Sequence, residues 1–260
     1  MKFAIKTMNR VDTLKKMTLQ MLEKYGVDHS DIYLFVSTDK CVKDYGEAFP
    51  SMKIIRGPRG IVEIDNFIVN YFEPGEKYIY LNDDIRRLNY AVDTSKLKEV
   101  EKDEFLKLAE ETFKTMEEKN ISYAGCYPVA NPYFMRNAKH AKTYDFKLIT
   151  DPFSFNINNR NVQLTKFFLG DDFNENIFSD YEKSILHYQD RGSILRLTHY
   201  CADVLYFNGA TTSNRTKENS HKNAELFLKR YPKYINSIKK NKNGFCSIKF
   251  KKIKSDHDLK

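Results

Sequence analysis

Residues 77–85 read Lys-Tyr-Ile-Tyr-Leu-Asn-Asp-Asp-Ile. Lys77–Leu81 has the β-branched and aromatic content of a strand, and it runs straight into Asn82, Asp83 and Asp84. An apolar strand that delivers two adjacent carboxylates is costly unless they meet water or a cation. Hard divalent cations take oxygen ligands, and Mg²⁺ usually accepts one or two carboxylates together with substrate phosphates. The stretch therefore reads as the cation end of a metal–diphosphate site. It reads equally as a polar exit from a strand, because Asn and Asp are common turn residues.

Working outward, Phe3-Ala4-Ile5 is a short apolar strand followed by Thr7-Met8-Asn9-Arg10. Leu14, Met17, Met21 and Leu22 then recur at helical spacing, with Gly26 as the stop. Ile32–Val36 predicts a second strand, closed by Ser37-Thr38-Asp39. Ser51–Ile55 predicts a third, ending at Arg56-Gly57-Pro58-Arg59-Gly60, and a helix follows over Glu63–Tyr71. This alternation argues for an α/β fold with a mainly parallel sheet. Ligands of such sheets bind outside the carboxyl ends of the strands. The polar clusters at 7–10, 37–39 and 82–84 all lie at such ends.

Further along, Asp103–Glu118 is amphipathic, with Phe105, Leu108, Ala109, Phe113 and Met116 on one face and Asp103 as N-cap. Residues 122–160 read as strands and loops. Asp180–Gln189 reads as a helix stopped by Gly192, Ile194–Leu197 as a strand, and Ser220–Arg230 as a last helix. With no internal repeat and no low-complexity linker, one compact domain is expected.

The chain has 260 residues, enough for a substantial core, and 19 Phe and 17 Tyr to fill it. No apolar run is long enough to span a bilayer, and the first ten residues lack the apolar stretch of a signal peptide. Cys41, Cys126, Cys201 and Cys246 stand apart, without the spacing of a zinc site, so a reduced, cytoplasmic compartment is expected. Lys plus Arg exceed Asp plus Glu by 43 to 35, a formal charge of +8. Many of the cations, Lys239, Lys240, Lys242, Lys249, Lys251, Lys252 and Lys254, gather near the end. That segment reads either as a solvated terminus or as a contact for nucleic-acid phosphates. The motifs GxxxxGK[ST], GxGxxG after a strand, GxSxG and HExxH are all missing, which argues against P-loop, dinucleotide, hydrolase and zinc-protease sites.

Two further segments carry candidate chemistry. Residues 170–182 are rich in acids, and Asp180 opens a helix. A carboxylate there is favoured in its ionised form and can accept a proton from an attacking hydroxyl, although Asp180 also reads as a simple cap. The loop Thr211–Lys217, with Arg215 and Lys217 before a helix, could hold a diphosphate. His199 and His221 are candidate metal ligands or ordinary surface side chains.

Together these segments resemble a GT-A glycosyltransferase, the fold that transfers sugar from a nucleotide diphosphate. Residues 3–22 resemble its opening strand, turn and helix, IYLFVSTDK its second strand, residues 60–85 the segment leading into its DxD motif, and residues 170–192 its acidic segment, with Gly192 twelve residues after Asp180. The resemblance implies a mainly parallel, Rossmann-like sheet flanked by helices. It implies a domain over residues 1–238, with a nucleotide-binding half at 1–100 and an acceptor half at 101–238, and a basic segment at 239–260. It also implies Thr7, Arg10, Asp39, Asn66, Asn82, Asp83, Arg215 and Lys217 at the nucleotide sugar. Asp84, with Asp83 and His221, would hold Mn²⁺ or Mg²⁺, and Asp180 would be the base of an inverting hexosyl- or pentosyltransferase. Asn82 stands where the motif has its first Asp, Ser179 replaces the acid before Asp180, and Asp171 and Asp172 are rival bases.

Within that fold the chain is most similar to compact viral enzymes associated with TET/JBP oxygenases. That similarity implies a UDP-sugar donor and a 5-hydroxymethylpyrimidine acceptor in DNA, with Tyr127, Tyr133 and Phe134 as candidate stacking partners for an extruded base. The Lys-, Asn- and Ile-rich composition fits an AT-rich phage or viral genome. The rival readings are a glycosyltransferase acting on glycan or protein, a non-catalytic nucleic-acid-binding protein, and a nucleotidyltransferase, which normally needs a third acid.

Overall fold

A computed structural model describes residues 1–168, 174–205, 216–255 and 257. The first strands are β1 (Lys2–Lys6), β2 (Ile32–Val36), β3 (Lys53–Arg56), β4 (Lys77–Asn82), β5 (Ile85–Ala91), β6 (Leu97–Glu99), β7 (Tyr123–Cys126) and β8 (Lys142–Thr143). The remaining strands are β9 (Phe153–Ile157), β10 (Phe167–Phe168), β11 (Asn174–Glu175), β12 (Leu195–Leu197), β13 (Tyr200–Val204), β14 (Ile235–Lys240) and β15 (Cys246–Phe250). The helices are α1 (Val11–Leu14), a π-helical segment (Lys15–Leu19), α2 (Gln20–Lys24), α3 (Asp39–Ala48), α4 (Ile61–Tyr71), α5 (Lys102–Glu118), α6 (Pro132–Arg136), α7 (Ser179–Arg191) and α8 (Lys217–Arg230).

The central sheet has the order β3-β2-β1-β4-β9-β7-β12-β8. β1 to β4 are parallel neighbours, β7 is parallel to β12, and only β9 and β8 run against the rest. This is the mainly parallel α/β sheet expected. Every position of β2 is buried because both faces are covered. Phe3, Ile5, Leu34 and Ile79 point into a core shared with α2 and α5, while Ala4, Tyr33, Phe35, Tyr78 and Tyr80 meet α4. α4 starts after Gly60, whose φ of +107° admits few other residues. Gly192, at φ +69°, ends α7 in the left-handed conformation.

Three features depart from the sequence reading. The opening helix contains a π-helical turn, which inserts a residue and rotates the buried face. Thr18 is therefore fully buried and Met17 only half-buried. α5 begins after Glu101, whose N–H donates to Glu104 Oε2 at 3.0 Å, so Asp103 sits inside the first turn rather than at the cap. The basic end is folded: β14 crosses residue 238 and pairs antiparallel with β15. Cys246 and Ile248 join the buried cluster around Phe227, and Lys254 pairs with Asp145 at 2.8 Å. The described lysines of this segment stay exposed on that framework.

Candidate active site at the strand ends

Because β2, β1 and β4 are adjacent and parallel, residues 7–10, 37–39 and 82–84 meet at one edge of the sheet. Thr7 Oγ1 donates to Asp83 Oδ2 at 2.7 Å and accepts from Tyr45 OH at 2.7 Å. The Arg10 N–H in turn donates to Tyr45 OH at 2.9 Å. The Arg10 guanidinium donates to Asp83 Oδ1 at 2.6 Å and lies 3.4 Å from Asp84 Oδ2. From the helix side, Thr18 Oγ1 donates to Asn82 O at 2.8 Å and accepts from the Ile85 N–H at 3.0 Å. Thr18 thus braces both ends of the turn that carries the two acids.

Burial pushes the Asp83 and Asp84 carboxyls above the ordinary carboxylate value. Thr7 and Arg10 pull Asp83 back, and Arg10 does so for Asp84. The oxygens are unequally engaged. Both oxygens of Asp83 are hydrogen-bonded, whereas Asp84 Oδ1 and Asn82 Oδ1 are buried without a hydrogen-bond partner among the described residues. An orphaned buried carboxylate oxygen is the donor a hard cation would use. Among the described residues no group of three or more His, Cys, Asp and Glu converges. Asp84 Oδ1 would therefore suit a Mg²⁺ or Mn²⁺ that draws few of its ligands from the described residues.

Asp39 is the first residue of α3 at the end of β2, with a side chain 94% exposed and paired to Arg56 Nε at 3.0 Å. Asn66, expected at the nucleotide, is engaged elsewhere, since its amide accepts from the Leu164 N–H at 2.7 Å and donates to Leu164 O at 3.0 Å. Asp180, in the first turn of α7, is half-exposed and accepts from the Tyr181 N–H at 2.9 Å. Lys217 opens α8, and its stem lies against Gly244 in the β14–β15 turn. His221 pairs with Glu225 at 3.3 Å and lies 3.5 Å from Cys246 Sγ, so its contacts are with α8 and β15. His199 Nδ1 lies 3.2 Å from Arg136. Arg215, Asp171 and Asp172 lie outside the described residues.

An ionic cluster that no sequence motif marks lies behind the edge. Lys183 Nζ is 3.0 Å from both Asp65 Oδ2 and Asp151 Oδ2, and Lys6 Nζ is 2.9 Å from Asp65 Oδ1. Tyr80 OH donates to Asp65 at 2.7 Å, and its ring lies under both ammonium groups, at 4.4 and 5.3 Å. Burial alone would raise the Asp65 carboxyl, but Lys183 and Lys6 hold it below its ordinary value. Burial likewise opposes the charge on Lys183, and Asp151 and Asp65 raise its pKa above the ordinary lysine value. Two cations and two anions balance, joining β1, α4, the segment before β9 and α7. The signal for Asp65 was its place in the apolar helix run Ile61–Val69. Tyr45 and Thr18 carried no comparable signal.

No family model matches the chain, and no curated protein matches it in sequence. Among solved structures it is similar to TarS 1–349 of S. aureus, at 12% identity and TM-score 0.41, over 88% of this chain and 66% of that one. It is similar to the Pyrobaculum calidifontis mannosyltransferase PcManGT in complex with GDP-Man and Mn²⁺, at 14% identity and TM-score 0.40, over 60% and 44%. It is also similar to glucosyl-3-phosphoglycerate synthase of Mycobacterium tuberculosis in complex with Mn²⁺, UDP-glucose and phosphoglyceric acid, at 7% identity and TM-score 0.49, over 100% and 90%. The chain thus spans less than half the length of the mannosyltransferase chain it matches. No helix among the described residues is long and apolar enough to cross a membrane.

Proposed function

We propose that the protein is a metal-dependent glycosyltransferase that moves a sugar from a nucleotide diphosphate sugar, favouring a UDP-sugar, to an acceptor hydroxyl. The observation that carries this reading is the buried Oδ1 of Asp84, without a partner among the described residues, at the carboxyl ends of parallel strands in a turn anchored by Thr7, Arg10 and Thr18. A bound Mn²⁺ or Mg²⁺ supplies Lewis-acid stabilisation of the diphosphate. Asp84 holds that cation in this reading, and Asp83 fixes Arg10 and Thr7 beside it. Asp39, exposed at the end of β2, is available to the nucleoside. Asp180 takes the proton of the acceptor hydroxyl as the new oxygen–anomeric carbon bond forms and the bond to the diphosphate breaks. The departing negative charge is offset by Arg215 or Lys217. In-line attack inverts configuration.

The test is a panel of nucleotide sugars with and without Mn²⁺, read by thermal shift and donor hydrolysis. A cognate donor at 100 times its dissociation constant stabilises the fold by about 2.7 kcal/mol. No response to any donor overturns the reading.

For the acceptor we favour 5-hydroxymethylpyrimidine in DNA over a glycan or protein hydroxyl. The exposed lysines of the β14–β15 hairpin and the exposed rings of Tyr133 and Phe134 support this choice. Duplex affinity that falls steeply with salt is the expected result. No binding even at low salt transfers the reading to a glycan or protein acceptor.

A further inference from the structure

A second cleft lies away from the strand-end site. It encloses about 250 Å³ and has an apolar floor of Ala91, Leu108 and Leu197, with Tyr90 and Tyr200 in its walls. β5 leads from Ile85, next to the acidic turn, to Tyr90 in this cleft, and five residues of strand cover roughly 17 Å. The cleft is therefore separate from Asp83 and Asp84.

Its charged groups are arranged in an unusual way. Arg136 Nη1 lies 3.2 Å from His199 Nδ1, and because a guanidinium can only donate, this contact favours the neutral imidazole that accepts at Nδ1. Burial, and then the neighbouring Arg136, lower the His199 pKa and keep that neutral form in place. Lys142 Nζ donates to Thr115 Oγ1 at 3.1 Å. Both cations are held by uncharged acceptors, and neither pairs with a carboxylate among the described residues. A cation fixed by a carboxylate has its charge cancelled; one fixed by an imidazole or hydroxyl is oriented with its charge intact. The one acid in the lining, Glu111, faces Lys107 at 3.9 Å. Tyr133, one helical turn before Arg136 on α6, is 58% exposed.

We propose that this cleft binds a phosphate ester, with Arg136 and Lys142 gripping the phosphate and Tyr90, Tyr200 and the apolar floor receiving the sugar or ring attached to it. The phosphate is a monoester on a small molecule or a diester in a nucleic-acid strand, and the two sources share the same recognition chemistry.

The experiment titrates the full chain, without added metal, with glucose 6-phosphate and separately with a thymidine dinucleotide, read by calorimetry and by the histidine NMR signals. Saturable binding that moves the His199 resonances is expected, weakened about tenfold or more in Arg136→Gln and in Lys142→Gln. Arg136 is exposed and Lys142 half-buried, and unchanged unfolding midpoints confirm that the variants are folded. Preference for the first probe identifies a small-molecule ligand, and preference for the second identifies a strand. Asp84→Asn keeps this binding while losing donor binding, which separates the cleft from the strand-end site. The proposal is overturned if neither probe saturates, or if both variants bind like the unaltered chain.

Discussion

Lys183 Nζ stands 3.0 Å from Asp65 Oδ2, tying α7 to α4 through a side chain that is 13% exposed. The same ammonium is 3.0 Å from Asp151, and Lys6 completes a charge-neutral quartet. Removing one member of a buried ion pair strands its partner in low dielectric, at a cost of about 3–5 kcal/mol. Lys183→Met is expected to lose stability of that order in urea unfolding, and Lys183→Arg to lose much less. A loss under about 1 kcal/mol for Lys183→Met would show the pair is worth no more than a surface contact.

The two acids of the turn are expected to separate on substitution. Asp83 uses both oxygens on Thr7 and Arg10, so Asp83→Ala unfastens the edge and costs about 1–3 kcal/mol. Asp84→Asn removes a charge that burial already disfavours, so stability without metal changes little. Under the proposed metal role, metal-dependent donor binding is expected to be lost in the Asp84 variant. Calorimetry showing unaltered donor binding would refute the metal role.

Thr18 is the brace of the same turn. Thr18→Val keeps the volume but leaves Asn82 O and the Ile85 N–H without their partner. A cost of about 1–3 kcal/mol is expected, together with weaker donor binding. Full retention of both would mean the turn holds its shape without the hydroxyl.

Asp180→Asn addresses the chemical step. If Asp180 is the general base proposed, the variant is expected to lose turnover by about 10²–10⁴-fold while keeping donor binding. Near-normal turnover would leave Asp180 as no more than a residue of the first turn of α7.

His187 provides the pH dependence. Its ring stacks on Tyr123 at 4.5 Å, Nδ1 lies 2.8 Å from Ser122 Oγ, and burial lowers its pKa to about 3. The unfolded chain takes up a proton near pH 6.5 that the folded chain refuses until about pH 3. This contribution is complete above pH 6.5 and is lost as pH falls, by at most about 1.4 kcal/mol per unit. His187→Gln is expected to flatten that slope between pH 6 and about 4; unfolding curves with an unchanged slope would rule the histidine out as its source.

Much of residues 1–100 was legible because strands and turns are local. The alternation of Phe3–Ile5, Ile32–Val36 and Lys77–Leu81 with helical spacing located three of the parallel strands within a residue or two. It also placed residues 7, 37 and 82 at one edge, a consequence of parallel direction and adjacency. Less was legible after residue 120. The basic lysines gave no sign that β14 and β15 pair, since Ile248 in the core and Lys249 in solvent are set by register. Asn66, placed at the nucleotide by resemblance, spends its amide on Leu164, a partner 98 positions away.

The sequence by itself determined the α/β alternation, the acidic turn and its place at a strand end, because each depends on a few consecutive residues obeying a period. Only the tertiary structure decided which oxygens of that turn lack a partner among the described residues, that Lys183 answers Asp65, and that Arg136 and Lys142 are held by neutral partners. Those are distances between groups far apart in the chain. They follow from how helices pack on the sheet, and no local pattern encodes them.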